Sequence, residues 1–236
     1  MKLILKTIFI TALCLTLPTL LFAGKKKELT KEQIEKIRQM TETIIKKTHH
    51  SLDNERNNRR RKFKLKFHSI KNPQYFLESN FTIGRFLFGK PNYKIGVNPI
   101  VFDHHISDIA LEGILAHELV HSEDYYNGST IRTIIPIGFK VSRKKKRIQY
   151  ERKTDLKTVL YGYSKGLIAY KKFQYPLLSP KELKKKKEEY LTPEEIELID
   201  SIKEDHPKLI QKWLKGKIPV DLKQFKAEIK AHLENS

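Results

Sequence analysis

Cysteine is nearly absent: among 236 residues there is one, Cys14. It sits in the middle of an apolar N-terminal run, not at its end, where a lipid-accepting cysteine would be expected. The rest of the chain has no thiol. Disulfides are excluded, and any metal site must use histidine and carboxylate. Glycine and proline number 10 each, too few for a collagenous chain. No internal repeat of solenoid period is visible. Acid is scarce as well, with 27 Asp and Glu against 47 Lys and Arg, a formal net charge of +20. After residue 23 no apolar run approaches the length of a membrane span.

The N-terminus does contain such a run. Met1 to Lys6 carry two lysines and no acid, Leu3 to Phe22 are almost wholly apolar, and Lys25, Lys26 and Lys27 follow. A basic start, an apolar centre and a small residue at Ala23 describe a secretory signal over residues 1–23. Leu21 is larger than the usual small residue two places before a cut, and an uncleaved membrane anchor is the alternative. Export would place the protein in the periplasm or outside the cell. Loss of Lys2 and Lys6 leaves a charge of +18. That excess favours anionic partners such as cell-envelope polymers, membrane surfaces or nucleic acid. An export signal argues against a cytosolic nucleic-acid role.

Residues 30–50 have a helix signature. Thr30 and Gln33 form a capping box, and Leu29 is placed to staple onto Ile34. Residues 62–68 alternate Phe63, Leu65 and Phe67 with Lys62, Lys64 and Lys66, as a half-buried strand does. Residues 81–88 and 93–102 are two further strand candidates, punctuated by Gly84, Gly89, Gly96 and Pro99. Ser107 caps a helix over 107–126, which Gly128 ends. A loop or hairpin region follows, with Ile131 to Ile137 extended. Residues 148–173 have the spacing of a second long helix. Ser179-Pro-Lys-Glu182 and Thr192-Pro-Glu-Glu195 are capping boxes with proline in the first turn. The expected division is a signal at 1–23, a helical segment at 24–60, a core at 61–175 and a basic helical extension at 176–236. The segment 24–60 is also a candidate for a removable pro-segment.

Residues 117–121 read His-Glu-Leu-Val-His. Histidines four apart on a helix lie on one face, so both imidazoles reach one ion. Glu118 then stands near a metal-bound water without being a ligand. A catalytic zinc needs a third protein ligand and an open position. Glu151 and Asp155, four apart at the start of the next helix, share a face. One of them can bind the metal while the other orients a histidine through its second nitrogen. Gly113, one turn before His117, either leaves room for a substrate or allows close helix packing. Gly162 and Gly166 suggest that the second helix packs closely on the first. Tyr161, Tyr163 and Tyr170 are available to stabilise an oxyanion, with packing as their competing role. His104 and His105 precede the motif helix as loop residues, and the remaining histidines show no ligand spacing.

HELVH followed by Glu151-Arg-Lys-Thr-Asp155 resembles the gluzincin branch of zinc metallopeptidases, the thermolysin-like group. It is also similar to the small minigluzincin-like proteins. The match spans about 50 residues, 107–155. The resemblance implies an α+β, zincin-like fold. Its short mixed or antiparallel sheet lies beside an active-site helix, and a mostly helical C-terminal part follows. It implies His117, His121 and Glu151 as ligands of one Zn2+, Glu118 as general base, Asp155 as partner of a histidine, and a protein or peptide substrate. An edge strand would bind the substrate backbone, with residues 94–102 as the candidate. The chain departs from the pattern in its long gap from His121 to Glu151 and in lacking a second lobe. The alternatives are a non-peptidase or inactive zinc-binding envelope protein, or a basic module gripping polyanions through 59–62, 143–147 and 184–187.

Overall fold

The computed structural model describes residues 28–57, 62–71, 76–81, 93–127 and 144–234. The signal region with Cys14, nearly all of the strand candidate 81–88, the stretch 131–137, Gly128 and parts of the first two basic runs lie outside them.

The fold is α+β with a small mixed sheet and a largely helical remainder. Helix α1 (Lys31–Lys47) opens on the Thr30–Gln33 capping box. It buries Ile37 and Ile44 completely in the first core. Shedding α1 as a pro-segment would uncover that core. Strands β1 (Leu65–Ser69), β2 (Leu77–Phe81) and β3 (Tyr93–Val97) form the sheet in the order β1-β3-β2. β1 runs parallel to β3 and β2 antiparallel to it. β3 is therefore the central strand. The expectation that 94–102 would be an edge strand fails on both counts: Val97 ends the strand, and Ile100–Asp103 is a short helix, α2. Pro99 has no N–H to continue a ladder, and its fixed φ suits the start of a helix.

Helix α3 (Asp108–Asn127) is the axis of the molecule. Ser107 caps it through the Ala110 amide. From Gly113 to Ser122 every residue is buried. Apolar and polar residues alike are buried there, because α3 is covered by α1, β2 and two later helices. The stretch 148–173 is not one helix. It divides into α4 (Lys144–Leu160) and α5 (Ser164–Gln174), with Gly162 between them at φ +88°. Only glycine takes that conformation freely, so Gly162 serves the turn and not a packing face. Gly166 does pack. A Cβ built on Gly113 would stand 2.1 Å from its carbonyl carbon. Close helix contact, not substrate space, is thus the role of Gly113.

After a 3-10 turn at Tyr175–Leu177, α6 (Pro180–Glu189) and α7 (Pro193–Ile202) start on the two capping boxes. Helices α8 (Pro207–Lys215) and α9 (Leu222–Glu234) follow. This tail is no loose appendage. Leu191, Ile196, Ile199, Trp213 and Phe225 are buried together with Leu156, Val159 and Leu167 of α4 and α5, forming a second core across residue 175. Arg152 of α4 is buried at its edge. It donates to the carbonyls of Tyr190 and Pro219 at 2.8 Å each and pairs with Glu195 at 2.9 Å. Among the described residues no helix is long and apolar enough to cross a membrane.

Candidate metal centre

The two cores meet where α3 passes α4. One ligand atom each from His117, His121 and Glu151 lies within 4.8 Å of the others, all in a largely buried position. Glu151 Oε2 stands 3.6 Å from His117 Nε2 and 3.3 Å from His121 Nε2. The helix explains the histidine pair, since residues four apart stack one turn above another. α4 explains the acid: its packing in the second core through Leu156 and Val159 turns the Glu151 side toward α3.

The other nitrogens of the rings are fixed. Nδ1 of His117 meets Asp155 Oδ1 at 2.8 Å. Nδ1 of His121 lies 3.0 Å from the Tyr150 hydroxyl. Each ring thereby turns Nε2 toward the common point, the arrangement that orients metal-ligating histidines. Asp155 is itself held on its second oxygen. Oδ2 accepts from Lys171 Nζ of α5 at 3.0 Å and from the Leu191 amide at 2.9 Å. Asp155 is fully buried, and the Lys171 side chain is 5% exposed.

Electrostatics follow from this packing. Burial would raise the Asp155 carboxyl, but the Lys171 ammonium and His117 outweigh it and hold it low. Burial likewise opposes the charge on Glu151, and His121 and His117 overcome it, keeping the carboxylate well below its usual range. Burial disfavours a charged His117, yet its bonds to Asp155 and Glu151 prevail and push it up to about 10. Glu118 is raised, chiefly by burial, with the two histidines pulling the other way. Glu118, Glu151 and Asp155 bring three acids together, with Lys171 paired to Asp155 and Lys186 of α6 acting on Glu151. Glu151 Oε2 is the oxygen that the two Nε2 atoms share, at 3.6 and 3.3 Å. A cation among the three ligand atoms would bind that shared oxygen and replace the proton of His117, so the residues present fit a metal ion.

The five residues expected at the site are therefore brought together. Of the three tyrosines offered either for an oxyanion or for packing, Tyr170 lies near the acids of the site, where Glu118 and Asp155 act on it electrostatically. Tyr161 donates to Glu123 at 2.7 Å, and Tyr163 lies by Thr48. Tyr170 is buried and accepts from Gln174. Sequence reasoning missed Tyr150, Lys171 and Tyr190, whose ring centroid is 6.0 Å from that of His117. Tyr150 had one available signal, its place beside Glu151. Lys171 had none, because an isolated lysine in a basic chain looks like any surface lysine. His104 and His105 are exposed loop residues, whereas His49 is buried against Tyr161, ring centroids 4.5 Å apart. Comparison with protein-family models, with curated proteins and with solved structures finds no match for this chain.

Proposed function

We propose that this protein is an exported zinc metallopeptidase of gluzincin type that hydrolyses peptide bonds. The observation that carries the proposal is the convergence of His117, His121 and Glu151 on one point, with Asp155 bonded to the back of His117. Two imidazoles and one carboxylate suit zinc in a site that keeps a position open for water. A bound zinc would supply Lewis acidity and lower the pKa of its water.

The chain's own groups would do the rest. Glu118 follows the first ligand histidine on α3 and is buried. Burial raises its proton affinity, which suits a base that must take a proton from water and hand it to the leaving amine nitrogen. His117 and His121 are held in single orientations by Asp155 and Tyr150. Among the described residues β2 is an edge of the sheet, and it lies beside α3, where the Ser79 and Ser122 hydroxyls are 3.1 Å apart. Glu78 of that strand acts electrostatically on Glu118. In this reading β2 would pair with the substrate backbone.

Elemental mass spectrometry of the purified chain, followed by a peptide-hydrolysis screen, tests the proposal. About one zinc per chain is expected. Glu118→Gln should keep the zinc and lose hydrolysis by at least about 100-fold, the usual scale of a positioned acid–base group. Full activity in Glu118→Gln would sink the mechanism. Iron in place of zinc, or no metal after reconstitution, would remove the peptidase assignment.

A further inference from the structure

A second concave site lies on a different side of α4. It is a cavity of about 920 Å³ between the first turns of α4, helix α6 and the segment leading into α9. That is the size of a small-molecule site. Ile148, Leu183 and Val220 give it an apolar lining, and Val220 is 41% exposed. Lys145, Lys184, Lys187 and Lys217 surround that lining.

The two acids of the rim are already engaged. Glu188 binds Lys144 at 2.9 Å. Asp221 caps α9, accepting from the Gln224 amide at 2.8 Å. Among the described residues, Lys145, Lys184 and Lys217 enter no ion pair. The cavity thus offers a ring of four lysines, three of them outside any ion pair, around an apolar floor. Such a site selects a ligand that is anionic at one end and apolar at the other.

The choice between a peptide and a lipid turns on hydrogen bonding. A bound peptide needs partners for its backbone N–H and C=O groups. The amide side chain in the lining, Gln149, is spent on Ile218, donating to its carbonyl at 2.8 Å and accepting from its N–H at 2.9 Å. An acyl chain needs no such partners. The sequence also carries an apolar run at 3–22 flanked by lysines, which would bring the chain to a membrane. We propose that this groove docks the protein on an anionic bilayer, with phospholipid head groups on the four lysines and acyl carbons against Ile148, Leu183 and Val220. The proposal does not depend on the peptidase assignment.

The test is sedimentation of the full chain with vesicles of phosphatidylglycerol mixed into phosphatidylcholine, and with pure phosphatidylcholine, with and without a chelator. Binding through the apolar run at 3–22 should be common to both vesicle types, so the readout is the preference for the anionic vesicles. Lys145→Glu with Lys217→Glu should cut that preference about tenfold or more, since each lysine near an anionic surface contributes strongly. Val220→Ser, which changes no charge, should cut it several-fold. Lys64→Glu with Lys66→Glu, two exposed lysines at β1, should change it little. Equal loss in that control would mean diffuse charge and overturn the proposal. So would an unchanged Val220→Ser, or tight capture of a soluble acidic, apolar peptide without vesicle binding. The result should be the same in chelator, so failure of the metal site and failure of the groove are separately visible.

Discussion

The two cores bury different things. The first, built by α1, the sheet and α3, is mainly aliphatic and aromatic, with Phe63, Tyr93 and Tyr126 in ring contact at 4.9–6.0 Å. The second also takes in charge, with Arg152 and Glu195 paired at its edge and both nearly inaccessible. The candidate metal centre lies on the seam. Its two histidines and Glu118 come from the helix of the first core. Its carboxylate ligand and the acid behind His117 come from α4, which the second core holds. A site shared this way depends on the contact between the halves as much as on the residues in either.

The largest effect expected is at the ligand that crosses the seam. Glu151→Ala should lower metal affinity by more than about 100-fold, because loss of an outer partner alone costs 10–100-fold. Titration with a competing chelator measures it, and retention of wild-type affinity would remove Glu151 from the ligand set. Next is the helix contact that sets the spacing. In Gly113→Ala the new methyl would meet the backbone of Gly166 and Leu167 at 2.1–2.4 Å. Backbone cannot yield as a flexible side chain does, so the cost should be about 3 kcal/mol in urea unfolding. Metal affinity should fall with it as α5 withdraws Lys171. A stable variant with full affinity would show that the two helices do not need this contact.

The first core carries its own titratable group. Burial lowers His49 from the ordinary 6.5 to about 4. The folded state keeps His49 neutral, and below pH 6.5 the unfolded chain binds the proton first. Its contribution is therefore fully present above pH 6.5 and is lost as pH falls toward 4. The difference amounts to about 3 kcal/mol at its full extent. Stability measured from pH 7 to 4 should fall less steeply in His49→Gln than in wild type, and equal slopes would refute the assignment. The smallest effect expected is Lys171→Met. It leaves every ligand in place but takes the cation from Asp155 and so loosens His117. Metal affinity should drop about tenfold, as for other outer-shell partners, with recovery in Lys171→Arg. No change would mean that the Leu191 amide suffices to hold Asp155.

How much of this was legible in the sequence varies with range. Capping boxes at Thr30, Ser179 and Thr192 were readable because donor and acceptor lie three residues apart. The HELVH pair was readable because helix geometry fixes what four residues' spacing does. The limits of β3 were misread because Ile100, Val101 and Phe102 are apolar enough for a strand, and local composition did not reveal the turn at Pro99. The long helix over 148–173 was misread because apolar spacing continues through Gly162, while the backbone reverses there.

The sequence by itself determined the capped helix starts at Thr30, Ser107, Ser179 and Thr192 and one face of the candidate metal centre, since those depend on contacts within a few residues. Only the tertiary structure decided that Gly113 lies against Gly166, that β3 is central, and that Lys171 and the Leu191 amide stand behind Asp155. Those pairings join residues 16 to 53 apart in the chain. The helix pairings form because burying the second core fixes α4 and α5, and both pack against α3. Nothing in a residue's neighbours along the chain encodes such a fit.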